Sequence, residues 1–209
     1  MANLRLNVLA AFSGVLLMAA PALASPLTYS SYSVLADQNV TLSDPTLSIN
    51  EAAGSGQFTF SGTKGIGGML QTWCIDITHY LQSAGSFTTG TFLSGDLGTK
   101  VNALITNGTA QLGTDTNASS ALQVAIWKAE YGSDLTVTGP SAVLALADTY
   151  LADIASGSWS ADPAMHVAVL GGGGTNQDQA YLTPVPEPAS MGVLAAGLFG
   201  LGLIRRKLA

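Results

Sequence analysis

Hydrophobic residues are spread so unevenly along this chain that its two ends cannot share one fold with its middle. Near the start, Arg5 is followed by an apolar run from Val8 to Ala20, a break at Pro21, and the triplet Ala22-Leu23-Ala24. Charge, apolar run, helix breaker and small residues at both ends of the triplet form the order that a signal peptidase reads, with cleavage expected after Ala24. At the far end, Ala189 to Ile204 carries no charge and is followed at once by Arg205, Arg206 and Lys207. Sixteen residues at about 1.5 Å each can cross a thin bilayer if the flanking side chains snorkel. The three cations would hold that end in the cytoplasm. Gly192, Gly197, Gly200 and Gly202 make the segment a weak soluble helix but an acceptable membrane one. The expected layout is a signal peptide over 1–24, an exported domain over 25–184, and a tail over 185–209 with a transmembrane helix at 189–204.

Composition sharpens the picture of the middle. The whole chain of 209 residues is 47% hydrophobic and 10% charged, with a formal charge of −6. Between the two ends, only Lys64, Lys100 and Lys128 are basic, against twelve carboxylates from Asp37 to Asp178, which leaves about −9. Such a surface excludes nucleic acid, whose phosphates demand basic partners, and disfavours binding to an anionic membrane surface. A single cysteine excludes a disulfide framework and any zinc site with several thiolate ligands.

Immediately before the apolar tail stands Val185-Pro186-Glu187-Pro188. Pro-Glu-Pro, an apolar segment, an Arg-rich cluster and the end of the sequence, in that order, resemble the PEP-CTERM sorting signal of Gram-negative bacteria. The resemblance implies two processing partners, a signal peptidase and the membrane protease exosortase, and transient anchoring in the inner membrane. It also implies a final place at the cell surface or in the extracellular matrix. Pro186, Glu187, Pro188, Arg205 and Arg206 would then be recognised by the sorting machinery and take no part in catalysis.

Within the exported domain, the first half reads as extended. Tyr29 to Leu35, Val40 to Ile49, Gly56 to Gly62, Met69 to Ile77 and Ser86 to Leu93 are short, β-branched or aromatic stretches separated by Asp-Pro or glycine turns. Helices are expected over Lys100 to Asn107, ending at Asn107-Gly108, over Ala118 to Tyr131 with Asn117 as N-cap, and over Pro140 to Ala155. His166 to Leu170 and Ala180 to Thr183 are late strands on either side of a flexible turn at Gly171 to Gly174. The expected fold class is α+β: a mainly antiparallel, β-sandwich-like domain with a helical insertion of about three helices.

Chemistry concentrates at Trp73-Cys74-Ile75-Asp76, on a strand, and at Leu122-Gln123-Val124-Ala125-Ile126-Trp127, on a helix. From the residues alone, a cysteine between apolar neighbours is a small core residue. The order of the two segments resembles the bacterial thioester domain family, over about Met69 to Thr138, with Ile75 to His79, Ala103 to Ile105 and Ala125 to Gly132 extending the likeness. That resemblance implies an internal thioester between Cys74 and Gln123, formed with loss of ammonia. It also implies an amine-bearing partner that would be acylated through Gln123. The family's threonine before the glutamine is Leu122 here. Trp73, Ile75, Ile126 and Trp127 could keep such a bond dry.

Other chemistries fit less well. A cysteine hydrolase would need His79 or His166 beside Cys74, and strand alternation turns His79 away. Cys74, Asp76 and His79 lack a defensible metal spacing, and no cofactor is expected. Gly171 to Gly174 lacks the Gly-Lys-Ser/Thr ending of a phosphate loop. The triplets at Asn39, Asn107 and Asn117 fit a glycosylation pattern, but the latter two coincide with expected helix caps. Two readings remain, and neither is a turnover enzyme. One is a surface or matrix protein that attaches covalently to amines. The other is a passive matrix or surface component whose Cys/Gln pair stays unreacted.

Overall fold

The structure, a computed structural model, describes residues 26–64, 68–113 and 115–185. The expected signal peptide (1–24) and transmembrane helix (189–204) lie outside these residues, as do Pro186, Glu187, Pro188, Arg205 and Arg206. Among the described residues no helix is long and apolar enough to cross a membrane.

Among the described residues, eight strands and three α-helices make up the domain. The strands are β1 (Leu27–Tyr29), β2 (Ser31–Asp44), β3 (Ile49–Thr63), β4 (Gly68–Cys74), β5 (Gly85–Phe92), β6 (Thr136–Thr138), β7 (Met165–Gly171) and β8 (Gln179–Pro184). The helices are α1 (Gly95–Gly108), α2 (Ala118–Tyr131) and α3 (Ser141–Ala155). All strand pairings are antiparallel, in the order β1-β5-β7-β8-β4-β3-β2-β6.

The expected mainly antiparallel sheet with three helices is present. In place of two stacked sheets, a single sheet curls until it closes. β1 and β2 are one chain segment interrupted only at Ser30, and both follow β3 in the same register, from Ser31 opposite Ser61 to the bridge between Thr28 and Lys64. The other edge of β1 pairs with β5. Six strand positions therefore form a ring, which leaves fewer open edges than a flat sheet. Tyr29, Phe60 and Phe87 fill one part of its interior, with ring centroids 4.7 to 5.4 Å apart.

Local chemistry sets the boundaries. The stretch expected as one strand over Val40 to Ile49 is split, because Asp44 Oδ1 accepts hydrogen bonds from the backbone N–H groups of Thr46 and Leu47 and turns the chain at Pro45. Asn107-Gly108 does not cap α1 in the left-handed conformation. Gly108 has φ −68° and the chain runs on into a 3-10 turn over 109–111. A Cβ at Gly108 would stand 2.7 Å from the methyl groups of Leu122, so the glycine serves the close approach of α1 to α2. Asn117 is likewise no side-chain cap, since its amide is turned to Asp115 Oδ1. The end of α2 follows expectation, with Gly132 at φ 62°.

Candidate functional site

Helix α2 is buried on every side from Ala118 to Trp127, which is unusual for a soluble helix and means that its polar side chains must find partners inside the protein. They find strand backbone. Ser119 Oγ accepts the N–H of Gln57 (2.8 Å) and donates to the carbonyl of Leu35 (2.8 Å). Ser120 Oγ accepts the N–H of Gln38 (3.1 Å) and donates to the carbonyl of Ser55 (2.6 Å). These bonds sit where the β2–β3 register slips between Leu35 and Gln38 and the ladder cannot satisfy its own groups. The two serines were not recognised from the sequence. The only signal for them there was an unbroken apolar helix opening on Ser-Ser.

One turn further along α2, Gln123 reaches the end of β4. Its Oε1 accepts the backbone N–H of Cys74 at 2.9 Å, and its Nε2 donates to the backbone carbonyl of Cys74 at 2.7 Å. Both residues are 0% exposed. The Cys74 thiol donates to the carbonyl of Asp76 at 3.1 Å and accepts the indole N–H of Trp127 at 3.4 Å. Burial pushes the thiol well above its usual range, against the opposing pull of the Trp127 hydrogen bond.

The other residues singled out in the sequence fall differently. Trp127 touches the sulfur. Trp73, one residue from Cys74 on the strand, lines a separate groove with Gln57, Gln71, Ile105 and Thr106, as alternation along a strand requires. Ile75 and Ile126 are buried in the common core. The ordered strand stops at Cys74, so alternation does not carry on to His79. The chain turns instead, and Asp76 Oδ2 meets His79 Nδ1 at 2.7 Å. Neither histidine bonds the sulfur. His166 lies against Phe92, with ring centroids 5.5 Å apart. Among the described residues, no group of three or more His, Cys, Asp or Glu is placed to hold a metal.

Two further features surround the pair. Glu130 and Tyr131 follow on the same helix. Tyr131 Oη accepts the N–H of Ile77 (3.2 Å) and donates to the carbonyl of Ile75 (3.1 Å), fixing the turn after Cys74. Glu130 Oε2 is buried without a hydrogen-bond partner, and burial, with the Asp76 and Asp178 charges adding to it, pushes its carboxyl up to about 8. The glycine-rich stretch expected as a flexible turn is a tight one. A Cβ at Gly172 would fall 1.8 Å from the Asn176 carbonyl oxygen. The turn presents Asp178, whose carbonyl accepts the N–H of Ile75, and Gln177, whose amide donates to the His79 carbonyl at 3.2 Å.

Comparison with known proteins reaches only the tail. Residues 184–207 match the family described as the PEP-CTERM protein-sorting motif. The chain thus carries a sorting signal that marks an exported protein handled by exosortase, with membrane-anchored transit in a Gram-negative bacterium. No curated protein and no solved structure matches the chain.

Proposed function

We propose that the exported domain is a surface or matrix module that attaches covalently to amine-bearing partners through a thioester between Cys74 and Gln123. The observation that carries this reading is the seating of the Gln123 carboxamide on Cys74, at full burial, by the two hydrogen bonds of 2.9 and 2.7 Å. Those bonds suit the chemistry. The Cys74 N–H points at the oxygen that becomes negative when sulfur adds to the carboxamide carbon, the role of an oxyanion donor. Sulfur–carbon bond formation expels the amide nitrogen as ammonia, and the thiol proton leaves with it. In the reverse sense, an amine attacking the thioester carbonyl forms an amide at Gln123 and expels the Cys74 sulfur. The Trp127 N–H would steady that leaving group. A buried bond is protected from water. The nearest lysine in the sequence, Lys128, is drawn away to Asp148 at 2.7 Å, which limits self-reaction.

A second reading is favoured by a specific observation. Gln123 stands in series with Ser119 and Ser120, whose hydroxyls bond strand backbone. On that reading the glutamine is a clamp, the thiol stays free, and the protein is a passive component of the surface or matrix. Thiol titration separates the two. Under denaturing conditions the covalent reading gives no reactive thiol before methylamine treatment. After treatment one thiol appears, with methylamine incorporated at Gln123. A thiol that titrates fully before treatment overturns it.

A further inference from the structure

The fold and the sorting signal share residues. Strand β8 ends at Pro184, which lies opposite Met165 of β7. The next residue is still bonded, Val185 giving its N–H to the Ala164 carbonyl at 2.8 Å. The sorting motif matched at residues 184–207 therefore begins inside the sheet. Only Pro186, Glu187 and Pro188 separate Val185 from the apolar run that starts at Ala189. At about 3.5 Å per residue, at most about 15 Å of chain lies between the sheet and that run. A protease cuts chain that is exposed and free of backbone partners. Here it has no linker to draw on.

The two sides of this strand end are held unequally. On the β7 side, Asn102 of α1 donates to the carbonyls of Asp162 and Met165 and accepts the Asp162 N–H. Asp162 Oδ1 in turn accepts the N–H of Ala164 at 2.8 Å. The β8 side has no such grip. Its pairing with β4 is confined to Gln179 and Ala180, opposite Cys74 and Trp73, so from Tyr181 onward β8 pairs only with β7. Burial falls along the same strand, from fully enclosed Gln179 and Ala180 to exposed Pro184. A strand end with one ladder and little burial is where a sheet opens first.

We propose that exosortase processing passes through an open form in which Thr183 to Val185 have left β7 while Ala164 and Met165 stay clamped, so that the end of the β7–β8 ladder sets the rate of sorting. The inference rests on the sorting signal and not on the Cys74–Gln123 pair, so a protein with a free thiol leaves it standing. When the strand end recloses faster than the enzyme cuts, the rate of cutting follows the open population. Tightening the ladder must then slow processing, and adding chain beyond it must remove that effect.

The ladder itself supplies the test. Pro184, which has no N–H to give, faces Met165 in a non-hydrogen-bonded pair next to the bonded pair of Val185 and Ala164. Such pairs stand close enough for a cross-strand disulfide. The full-length precursor is followed by pulse-chase in a host that holds the exosortase, with processing read as loss of mass from the tail. Met165→Cys/Pro184→Cys, with its crosslink verified by non-reducing mobility, should be processed at least about tenfold more slowly than the unlinked control Met165→Ser/Pro184→Ser. Inserting Gly-Gly-Ser-Gly-Gly-Ser-Thr-Pro-Val after Val185 leaves the strand intact and gives the motif its own copy of residues 183–185. That insertion should speed the control several-fold and bring the crosslinked chain to the same rate. A crosslinked precursor processed as fast as its serine control overturns the proposal. So does an insertion that leaves the control at its original rate, or a crosslink that slows the chain equally with the insertion present.

Discussion

Helices α1 and α2 each send a buried carboxamide to backbone outside the helix, Asn102 to β7 and the loop before it and Gln123 to the end of β4, and the two clamps differ in how they are filled. Asn102 on α1 donates to the carbonyls of Asp162 (3.1 Å) and Met165 (2.8 Å), while its Oδ1 accepts the N–H of Asp162 (2.9 Å) and the hydroxyl of Thr106 (3.0 Å). All four of its hydrogen-bonding positions are used. Gln123 on α2 is more deeply buried and uses two, both on Cys74. A carboxamide placed only for anchoring looks like Asn102. Gln123 is gripped along a single edge by the backbone of the cysteine, and on the proposed reading the rest of the carboxamide is left for chemistry, so the comparison supplies its own control.

The largest effect is expected at Gln123. Gln123→Ala should restore the full sequence mass and also lower unfolding free energy by about 2–4 kcal/mol, because it strands the buried N–H and carbonyl of Cys74. Intact mass and denaturant titration read the two consequences separately. Asn102→Ala should cost about 2–3 kcal/mol for the same physical reason while leaving the mass unchanged. A change of mass there would break the distinction between the clamps. Next comes Glu130. Its carboxyl sits near 8 in the folded chain against 4.5 ordinarily, so the folded state holds the extra proton between those values. Stability from this group is therefore full below about pH 4.5 and lost as pH rises through 8. The unfolding free energy from denaturant titration should fall from pH 5.5 to pH 8.5 by about 1–3 kcal/mol more in the wild type than in Glu130→Gln. Equal slopes for both proteins would show that Glu130 is not the cause. The smallest effect is expected from Ser120→Ala, about 1 kcal/mol, with the mass deficit kept, since this side chain serves the register slip between β2 and β3 and not the thiol.

Some of this architecture was legible in residue order and some was not. Helix α2 could be bounded at Ala118 and Tyr131 because an apolar run ends in glycine, and Gly132 takes the positive φ that such an ending needs. The pairing of Cys74 with Gln123, 49 residues apart, was legible only through a resemblance, since no periodicity links a strand end to a distant helix. Closure of the sheet was hidden because it depends on one segment, 27–44, serving different neighbours along its two edges. β6 (Thr136–Thr138), three residues long, was too short for its alternation to stand out. The placing of His79 came from carrying strand alternation past Cys74, whereas the strand ends there and the Tyr131 hydroxyl bends the backbone through Ile75 and Ile77, so that His79 is positioned by Asp76 instead. Gly108 was read as a cap although its function lies in the contact with Leu122, a partner that no local pattern names.

The most direct test of the central claim is the intact mass of the exported wild-type protein, recovered from its host without exposure to amines. A thioester between Cys74 and Gln123 predicts a mass one ammonia below that of the processed sequence, with Cys74→Ser returning it to the value calculated for that variant. A wild-type protein at its full calculated mass would contradict the account, and would leave Gln123 as a second clamp of the kind that Asn102 already provides.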